Sequence, residues 1–389
     1  MRKGWEYKKL GEVLETTSGG TPSKSHKEYY EGGTIPWLRS GEVSKGDIYD
    51  AELYITEEGL KKSSAKLFPI DTVLIAMYGA TVGQVGILKS TMCTNQAICG
   101  ILPNKDFHPN FLKYVLLANK KNYLKQAIGG AQPNISQQVI KSTYIPIVKF
   151  SEQESVVSEL DKINELIRLK KEQLKDFDNL AQSIFYEMFG DPVENEKGWE
   201  VKKLNNICDV RDGTHDSPKY LQNSEYILIT SKNIVNGSID FENVNYISEE
   251  DYIKINKRSK VDNGDIIMPM IGTIGNPIIA HIDGTHKFCI KNVALIKFLA
   301  DSTVNNMFIV NLMRCSSFSS YLLNQNKGGT QKFVALGAIR KLPIPLPPLP
   351  LQHLFAQRIE QIEHQKAEVQ KAITDLETLL ASRMQYWFE

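Results

Sequence analysis

Three segments contain residue types that could support methyl transfer or cofactor binding, but their spacing does not fit. Asn276-Pro277-Ile278-Ile279 is close to the N-P-P-F loop of amino-methyltransferases, yet it lacks the second proline and the aromatic ring that stacks on an extruded base. Gly79, Gly83 and Gly86 do not have dinucleotide-binding spacing. Gly19–Ser25 lacks the Gly-Lys-Ser/Thr ending of a phosphate-binding loop. We therefore expect ordinary turns and strands at these positions.

Histidines and cysteines also lack the arrangement of a metal site or a nucleophilic centre. The seven histidines are never spaced as His-x-x-x-His, and the five cysteines include no Cys-x-x-Cys pair. His215 lies in the polar, turn-rich segment Arg211–Asp216, where nothing pairs it with a nucleophile. Sparse cysteines in odd number, with no apolar run long enough to span a bilayer, favour a reducing cytoplasm. We predict no catalytic site, no metal site and no bound cofactor.

The elements that position these segments occur twice along the 389 residues. The landmarks keep one order while their offset grows only from 194 to 199 residues, which indicates tandem duplication of a whole domain and not a solenoid. The matched segments are Gly4–Leu10 with Gly198–Leu204, then Asp71–Leu74, Gly79 and Gly83 with Asp265–Met268, Gly272 and Gly275, then Gly129–Gln132 with Gly328–Gln331, and finally Ile145–Ile147 with Ile344–Leu346.

Each copy ends in a heptad-patterned segment, at 149–190 and 348–389. Apolar residues recur there at alternating spacings of four and three, and Lys170, Lys366 and Arg383 occupy three of the slots. This pattern predicts two helices of about 38 residues, each about 57 Å long. An amphipathic helix lying on its own domain is the alternative, but the stripe is narrow for that role. We therefore favour a coiled coil formed by the two helices.

The globular regions, 1–148 and 198–347, are joined by the first helix and a charged linker at 191–197. Both regions have short β-rich runs broken by turn signals, together with some helical periodicity, so the fold class is α+β. Strands are expected at Thr72–Met77, Tyr226–Thr230, Asp265–Met270 and Ala294–Phe298, and helices near Asn110–Ala127 and Asn305–Asn324.

Charge is unevenly distributed, although the net charge of the chain is only +1. Residues 151–190 include nine acidic and five basic side chains, and residues 351–389 include six acidic and four basic ones, so the remainder of the chain carries a net charge of +7. Basic globular regions are suited to polyanions. The excess is modest, and a solvated surface explains it nearly as well as nucleic acid does.

Two loop-rich domains in tandem, each ending in Gly-Gly-x-Gln, then Ile-Pro-Ile/Leu, then a long heptad helix, resemble the specificity subunit of type I restriction–modification systems. The resemblance covers essentially the whole chain. It implies that each globular region is a target recognition domain for one half of a split, asymmetric DNA sequence. It also implies that the helices form an antiparallel pair with pseudo-twofold symmetry, which spaces the domains. The segments that support it are Gly4–Leu10, Gly198–Leu204, Gly129–Ser136, Ile145–Ile147, Gly328–Val334, Leu342–Pro347 and the two helices.

The same resemblance implies partners and a non-catalytic role. The expected partners are double-stranded DNA, two methyltransferase subunits and, in the full complex, restriction subunits, with no membrane. S-adenosylmethionine, ATP and magnesium would be bound only by partner subunits. The competing hypotheses are a protein-binding scaffold or dimeriser and, with less support, a stand-alone enzyme.

Polar loop residues are the candidates for DNA contact, since arginine and lysine bind guanine edges or phosphates and glutamine and asparagine bind adenine edges. For any one of them the alternative is a hydrogen bond within its own turn. The candidates in the first region are Thr21, Arg39, Tyr78, Thr81, Gln84, Gln132 and Asn134, and those in the second are Arg211, His215, Lys219, Lys232, Asn233, Thr273, Gln331 and Lys332. The candidates for partner docking, which could instead cap the coiled coil, are Tyr186, Phe189, Tyr386 and Phe388.

Overall fold

The computed structural model describes residues 2, 4–129, 133–235, 237–272, 274–298, 302–324 and 333–389. Its contacts divide the chain into unit 1, residues 1–170 with 372–389, and unit 2, residues 171–371. The division therefore runs through both long helices, whereas the sequence suggested boundaries at their ends. The reason is that each helix packs on the other helix and on a globular region, so half of each helix belongs to each unit.

The described residues of unit 1 form three sheets and five short α-helices. A five-stranded sheet has the order β2-β10-β7-β8-β4, a four-stranded sheet has the order β5-β3-β9-β6, and β1 pairs with β11. The strands are β1 (Glu6–Lys9), β2 (Thr16–Ser18), β3 (Ile35–Leu38), β4 (Asp47–Ile48), β5 (Tyr54–Ile55), β6 (Leu67–Phe68), β7 (Val73–Ala76), β8 (Val85–Leu88), β9 (Met92–Thr94), β10 (Ile98–Ile101) and β11 (Tyr144–Ile147). The helices are α1 (Leu10–Val13), α2 (Glu57–Lys61), α3 (Pro109–Ala118), α4 (Lys120–Gln126) and α5 (Gln137–Lys141), followed by the long helix α6 (Phe150–Phe189).

Unit 2 repeats this topology. The order β13-β21-β18-β19 matches β2-β10-β7-β8, the parallel pair β14–β20 matches β3–β9, and β12–β22 matches β1–β11. The strands are β12 (Glu200–Lys203), β13 (Asp209–Asp212), β14 (Tyr226–Thr230), β15 (Ile234–Val235), β16 (Ser238–Ile239), β17 (Asn245–Tyr246), β18 (Ile266–Pro269), β19 (Ile278–Ile279), β20 (Lys287–Lys291), β21 (Val293–Lys297) and β22 (Pro343–Leu346). The helices are α7 (Glu249–Ser259), α8 (Asn306–Arg314), α9 (Ser316–Asn324) and α10 (Leu336–Arg340), followed by the long helix α11 (Leu349–Phe388).

The backbone shifts one of the sequence correspondences by a single residue. The Asp71 N–H donates to the Leu88 carbonyl at 2.8 Å, as the Gly264 N–H donates to the Ala280 carbonyl at 2.9 Å. Both residues have positive φ, 65° and 88°, a conformation that glycine adopts freely and aspartate tolerates. Asp71 therefore matches Gly264. The match of Asp71 to Asp265 was wrong, because the two aspartates have the same residue type but occupy different positions in the backbone hydrogen-bond pattern.

The two long helices, α6 and α11, have 40 residues each and run antiparallel within each unit. In unit 2, Lys366 Nζ lies 2.8 Å from Asp178 Oδ1, and further along α6 the ring of Phe185 packs edge-on against Phe355 with centroids 5.6 Å apart. In unit 1, the Arg383 guanidinium donates to Glu159 at 3.1 Å. The predicted pairing of the helices is confirmed.

The expected strands and helices of the globular regions are present, with two differences. Each long helical stretch is split into two helices, α3 with α4 and α8 with α9. Helix α7 was not anticipated, although Ser248 followed by three acidic residues is a typical helix start, and its hydroxyl accepts a hydrogen bond from the Asp251 N–H. This helix contributes to the candidate site.

Candidate nucleic-acid interface

In unit 1, the turn between β9 and β10 lies beside the segment that follows β2. The Gly20 N–H donates to the Thr94 carbonyl at 2.9 Å, and the Gly19 N–H donates to Ile98 at 3.3 Å. The approach is so close that a Cβ at Gly19 would lie 2.2 Å from the Thr94 carbonyl oxygen. The glycine thus brings Thr21 to the turn, where its hydroxyl donates to Gln96 Oε1.

Two further segments meet this turn through main-chain hydrogen bonds. The Asn95 N–H donates to Leu38 at 2.9 Å, which places Arg39, the next residue after β3, at the same edge. The Met77 N–H donates to Ala97 at 2.8 Å, which brings the end of β7 to the turn. Arg39 is exposed, and its guanidinium lies 2.6 Å from the Glu52 carboxylate.

The segment that follows the Gly-Gly-x-Gln motif of the first region returns to the same edge. The Ile135 N–H donates to Met77 at 2.9 Å, and Tyr78 forms a β-bridge with Asn134. Thr81 and Gln84 lie in the following turn, where the Thr81 hydroxyl donates to the Tyr78 carbonyl at 3.1 Å. We call this edge rim 1; its exposed or half-buried polar members are Thr21, Arg39, Tyr78, Thr81, Gln84, Gln96 and Asn134.

Unit 2 builds the same edge with different side chains. The Gly213 N–H donates to Val293 at 3.0 Å and the Thr214 N–H donates to Ile290 at 3.0 Å, the same two bonds that Gly19 and Gly20 make in unit 1. His215 therefore matches Thr21, and Asn292, in the tight turn between β20 and β21, matches Gln96. His215 Nδ1 lies 3.1 Å from Asn292 Oδ1.

An ionic network supports His215. Its Nε2 lies 2.8 Å from Asp212 Oδ2, and the Arg258 guanidinium donates to the other oxygen of this buried carboxylate. Arg211 lies 2.6 Å from Asp209, and its hydrogen bond to that carboxylate raises the pKa of the guanidinium. The Asp212 carboxylate thus joins His215 to Arg258, and the Arg211 guanidinium donates to the Arg258 carbonyl at 3.0 Å. We call this edge rim 2; its members are Arg211, His215, Lys232, Arg258 and Asn292.

The structure gives Asn233 a different role from the predicted one. It is 3% exposed, and its amide accepts from the Thr230 N–H and hydroxyl and donates to the Asn243 carbonyl at 2.9 Å. A side chain with these bonds holds the turn after β14 and does not face a ligand. Lys219 and Lys232 are exposed.

Gln132, Thr273, Gln331 and Lys332 lie outside the described residues. The flanks of the second Gly-Gly-x-Gln loop nevertheless match those of the first. The Val334 N–H donates to Met270 at 3.0 Å, and Phe333 bridges Ile271. The contact of the segment after each Gly-Gly-x-Gln motif with the end of the central strand is therefore duplicated.

The aromatic residues proposed for docking mostly pack within their own unit. Phe189 is 3% exposed and lies against Phe308 and Phe355, with ring centroids 4.9 and 5.2 Å apart, so its assignment as a docking residue was wrong. Phe388 is half-buried against Phe111 at 5.7 Å. These two residues fit the capping alternative.

Tyr186 and Tyr386 retain more exposed surface. Tyr186 is half-buried, and its hydroxyl lies 3.4 Å from Ser316 Oγ. Tyr386 is 52% exposed, with the Arg383 guanidinium 4.3 Å from its ring centroid. Of the four aromatic residues, Tyr386 therefore offers the most surface to a partner.

Gln96, Asn292 and Arg258 are the site residues that sequence reasoning missed. Gln96 and Asn292 follow strands that pair in parallel with β3 and β14, and their equivalence becomes visible only when the main-chain bonds are known. Arg258 belongs to the last turn of α7, the helix that was not anticipated. Its helix-start signal at Ser248 was available in the sequence.

Within the described residues, no group of three histidine, cysteine or acidic side chains could hold a metal ion. The same residues include no helix that is both long and apolar enough to cross a bilayer. All five cysteines are buried and unpaired, and burial raises the pKa of Cys93 to about 11.

Residues 2–176 and 196–378 match the family described as the type I restriction modification DNA specificity domain. The chain belongs to this family. It is a specificity subunit of a type I restriction–modification system, with two tandem DNA specificity domains and no catalytic role of its own. Specificity subunits of these systems bind DNA and assemble with the other subunits.

Individual relatives agree with this assignment. The specificity subunit of the type I restriction enzyme MjaIX from Methanocaldococcus jannaschii is 28% identical over 406 aligned residues, which cover 97% of this chain and 91% of the relative. The EcoR124I/EcoR124II specificity subunit from Escherichia coli is 30% identical over 166 residues, or 41% of each chain.

Two solved structures share the fold. The S subunit from M. genitalium aligns with 13% identity and a TM-score of 0.53, over 100% of this chain and 98% of that one. A chain from a study of complex assembly and conformational transition in a type I system aligns with 19% identity and a TM-score of 0.61, over 100% and 98%. The predicted tandem-domain, coiled-coil architecture is confirmed.

Proposed function

We propose that rim 1 and rim 2 each read one half of a bipartite, asymmetric DNA target. The observation that carries this proposal is that the two rims share one main-chain scaffold but differ in side chains. Rim 1 has Thr21 where rim 2 has His215, and Gln96 where rim 2 has Asn292. A shared frame with different hydrogen-bonding groups suits two readers of different sequences.

The long helices would set the distance between the half-sites and dock two methyltransferase subunits, with restriction subunits added in the full complex. A 40-residue helix is about 60 Å long, and one turn of B-DNA is about 34 Å. The exposed Tyr386 is the best-placed aromatic residue for docking. The complex would act on chromosomal DNA in the cytoplasm.

Catalysis would depend entirely on the partners. We propose that S-adenosylmethionine, ATP and magnesium bind to the methyltransferase and restriction subunits and that this chain holds no cofactor. This chain would contribute sequence recognition. Its contacts to base edges would specify the DNA sequence, whereas its contacts to phosphates would only position the protein on the duplex.

The test is selection from randomised duplexes by the chain in complex with its methyltransferase partner, followed by mapping of methylated adenines. We expect two separated, non-identical half-sites and an affinity that falls linearly with the logarithm of salt concentration. Equal binding to all duplexes would contradict the proposal. It would favour the competing scaffold hypothesis, in which the domains bind proteins.

A further inference from the structure

Each rim has a carboxamide side chain in the matched turn, although the sequences and lengths of the two turns differ. Gln96 lies in the turn between β9 and β10, and Asn292 lies in the turn between β20 and β21. Each turn follows a strand that pairs in parallel with its neighbour, β9 with β3 or β20 with β14. Each turn then leads into a strand of a different sheet, β10 or β21. Asn292 has positive φ, 55°, a conformation that asparagine tolerates better than most residues.

The partner of each carboxamide is duplicated as well. Gln96 Oε1 accepts from the Thr21 hydroxyl, and Asn292 Oδ1 lies 3.1 Å from His215 Nδ1. Thr21 and His215 are themselves at matched positions, two residues after the glycine that approaches the turn. In both domains, therefore, the side chain two residues after the glycine lies against the carboxamide oxygen, although the residue pair differs.

Orientation by the oxygen leaves the amide nitrogen available. In the described part of the chain, neither the Gln96 nor the Asn292 side-chain NH2 donates to an acceptor. Each oxygen also keeps a second lone pair. A carboxamide with a free NH2 and a free lone pair matches the N7 acceptor and the N6 donor that adenine presents in the major groove.

We propose that Gln96 and Asn292 are the matched adenine-reading residues of the two domains, and that Thr21 and His215 are their positioning residues. This inference rests on the proposed function. Each carboxamide would donate its N–H to adenine N7 and accept from adenine N6–H in its own half-site. The other rim residues would then determine which bases are recognised next to that adenine.

The cost of losing such a bidentate contact is known in order of magnitude. One good pair discriminates its base from the others by about 5- to 150-fold. We therefore expect Gln96→Glu and Asn292→Asp each to lose discrimination of this size at one A·T pair. A carboxylate keeps the oxygen that faces Thr21 or His215 but has no N–H for adenine N7, so the turn itself is maintained.

The experiment compares three complexes with the methyltransferase partner, namely the unaltered chain, Gln96→Glu and Asn292→Asp, in selection from the same randomised duplex pool. Each variant is the matched control for the other, because each should alter one A·T position in one half-site and leave the other half-site unchanged. Assembly with the methyltransferase, checked by sizing, shows that the variants are folded.

The outcomes separate the inference from the proposed function. If the unaltered complex has no sequence preference, the proposed function fails. If it has a preference that both variants retain at every position, or if the altered position is a G·C pair, the adenine-reading assignment is overturned. Loss of preference in both half-sites from a single variant also overturns it, because the effect would then be structural.

Discussion

Rim 1 and rim 2 differ mainly in how their polar groups are held. Rim 1 uses neutral pairs at its centre, such as Thr21 with Gln96, and its one guanidinium, Arg39, is neutralised by Glu52. In rim 2, the buried Asp212 carboxylate accepts from His215 and Arg258. The same frame therefore carries neutral polar pairs in one domain and an ionic network in the other. Under the proposed function, the backbone would fix where recognition occurs and the side chains would fix what is recognised.

The ends of the helix pair also differ between the units. In unit 2, Phe185, Phe189, Phe308 and Phe355 form one buried aromatic cluster. In unit 1 the position of Phe355 is taken by Val156, which is fully buried but smaller. At this matched position, the core of unit 2 therefore depends on a larger side chain than the core of unit 1.

The largest expected effect tests that difference in packing. Phe355→Ala should destabilise unit 2 by about 3–5 kcal/mol, because it removes a fully buried ring and leaves a cavity. The matched change Val156→Ala in unit 1 should cost about 2 kcal/mol, from two buried carbons and a smaller cavity. Urea unfolding combined with hydrogen exchange would measure both. Equal costs, or loss of protection in the other unit, would contradict the comparison.

The next effect tests the two positioning residues. His215→Ala removes a bond to the Asp212 carboxylate as well as the contact with Asn292, so it should reduce discrimination in its half-site about 10-fold. Thr21→Ala removes one neutral hydrogen bond and should cost about 5-fold in the other half-site. Competition binding with duplexes altered in one half-site would separate the two. A larger effect for Thr21→Ala than for His215→Ala would contradict the expectation that the ionic contact contributes more to discrimination than the neutral one.

A smaller effect tests the basic surface of rim 2. Lys232→Ala should weaken binding to all duplexes alike and reduce the slope of log affinity against log salt by about 0.9, the value for one lost phosphate contact. Lys254→Ala, an exposed lysine on α7, is the matched control and should leave the slope unchanged. An altered base preference for Lys232→Ala would instead make Lys232 a base reader.

The smallest effect concerns acid stability of unit 1. Hydrogen bonds from Arg383 and Trp387 lower the pKa of Glu159 below its ordinary value of 4.5. A carboxylate with a lowered pKa stabilises the fold above that value and loses the contribution as the pH falls through the folded-state pKa. Below pH 4.5, stability should therefore fall more steeply in the unaltered chain than in Glu159→Gln, by at most about 1 kcal/mol since the pair is partly exposed. The measurement is the free energy of unfolding of both proteins as a function of pH. Equal slopes for the two proteins below pH 4.5 would contradict this expectation.

Much of the architecture could be predicted from the sequence because it depends on periodic or repeated signals. The heptad stripe predicted the ends of both long helices to within two residues of their observed bounds, Phe150–Phe189 and Leu349–Phe388. At the end of α6 the stripe was less informative. Phe185 and Phe189 are buried there against the globular core of unit 2. The periodicity of one helix does not reveal its contacts with a separate globular region.

The site could be predicted only in part, because its residues are brought together by non-local pairing. Thr21, Tyr78 and His215 were recognised from polar, glycine-rich loops. Gln96 and Asn292 follow ordinary strands, and only the main-chain bonds of Gly19 and Gly213 show that the two turns are equivalent. Loop composition alone also could not separate an exposed amide from the buried, fully bonded amide of Asn233.

The most direct test of the central claim is the target sequence of a chain whose second domain is a copy of the first. Residues 198–347 would be replaced by residues 1–148 with both long helices unchanged, and the complex with the methyltransferase would select from randomised duplexes. We predict that the second half-site disappears and the first occurs twice. Retention of the original second half-site would contradict the claim that each rim reads its own half of the target.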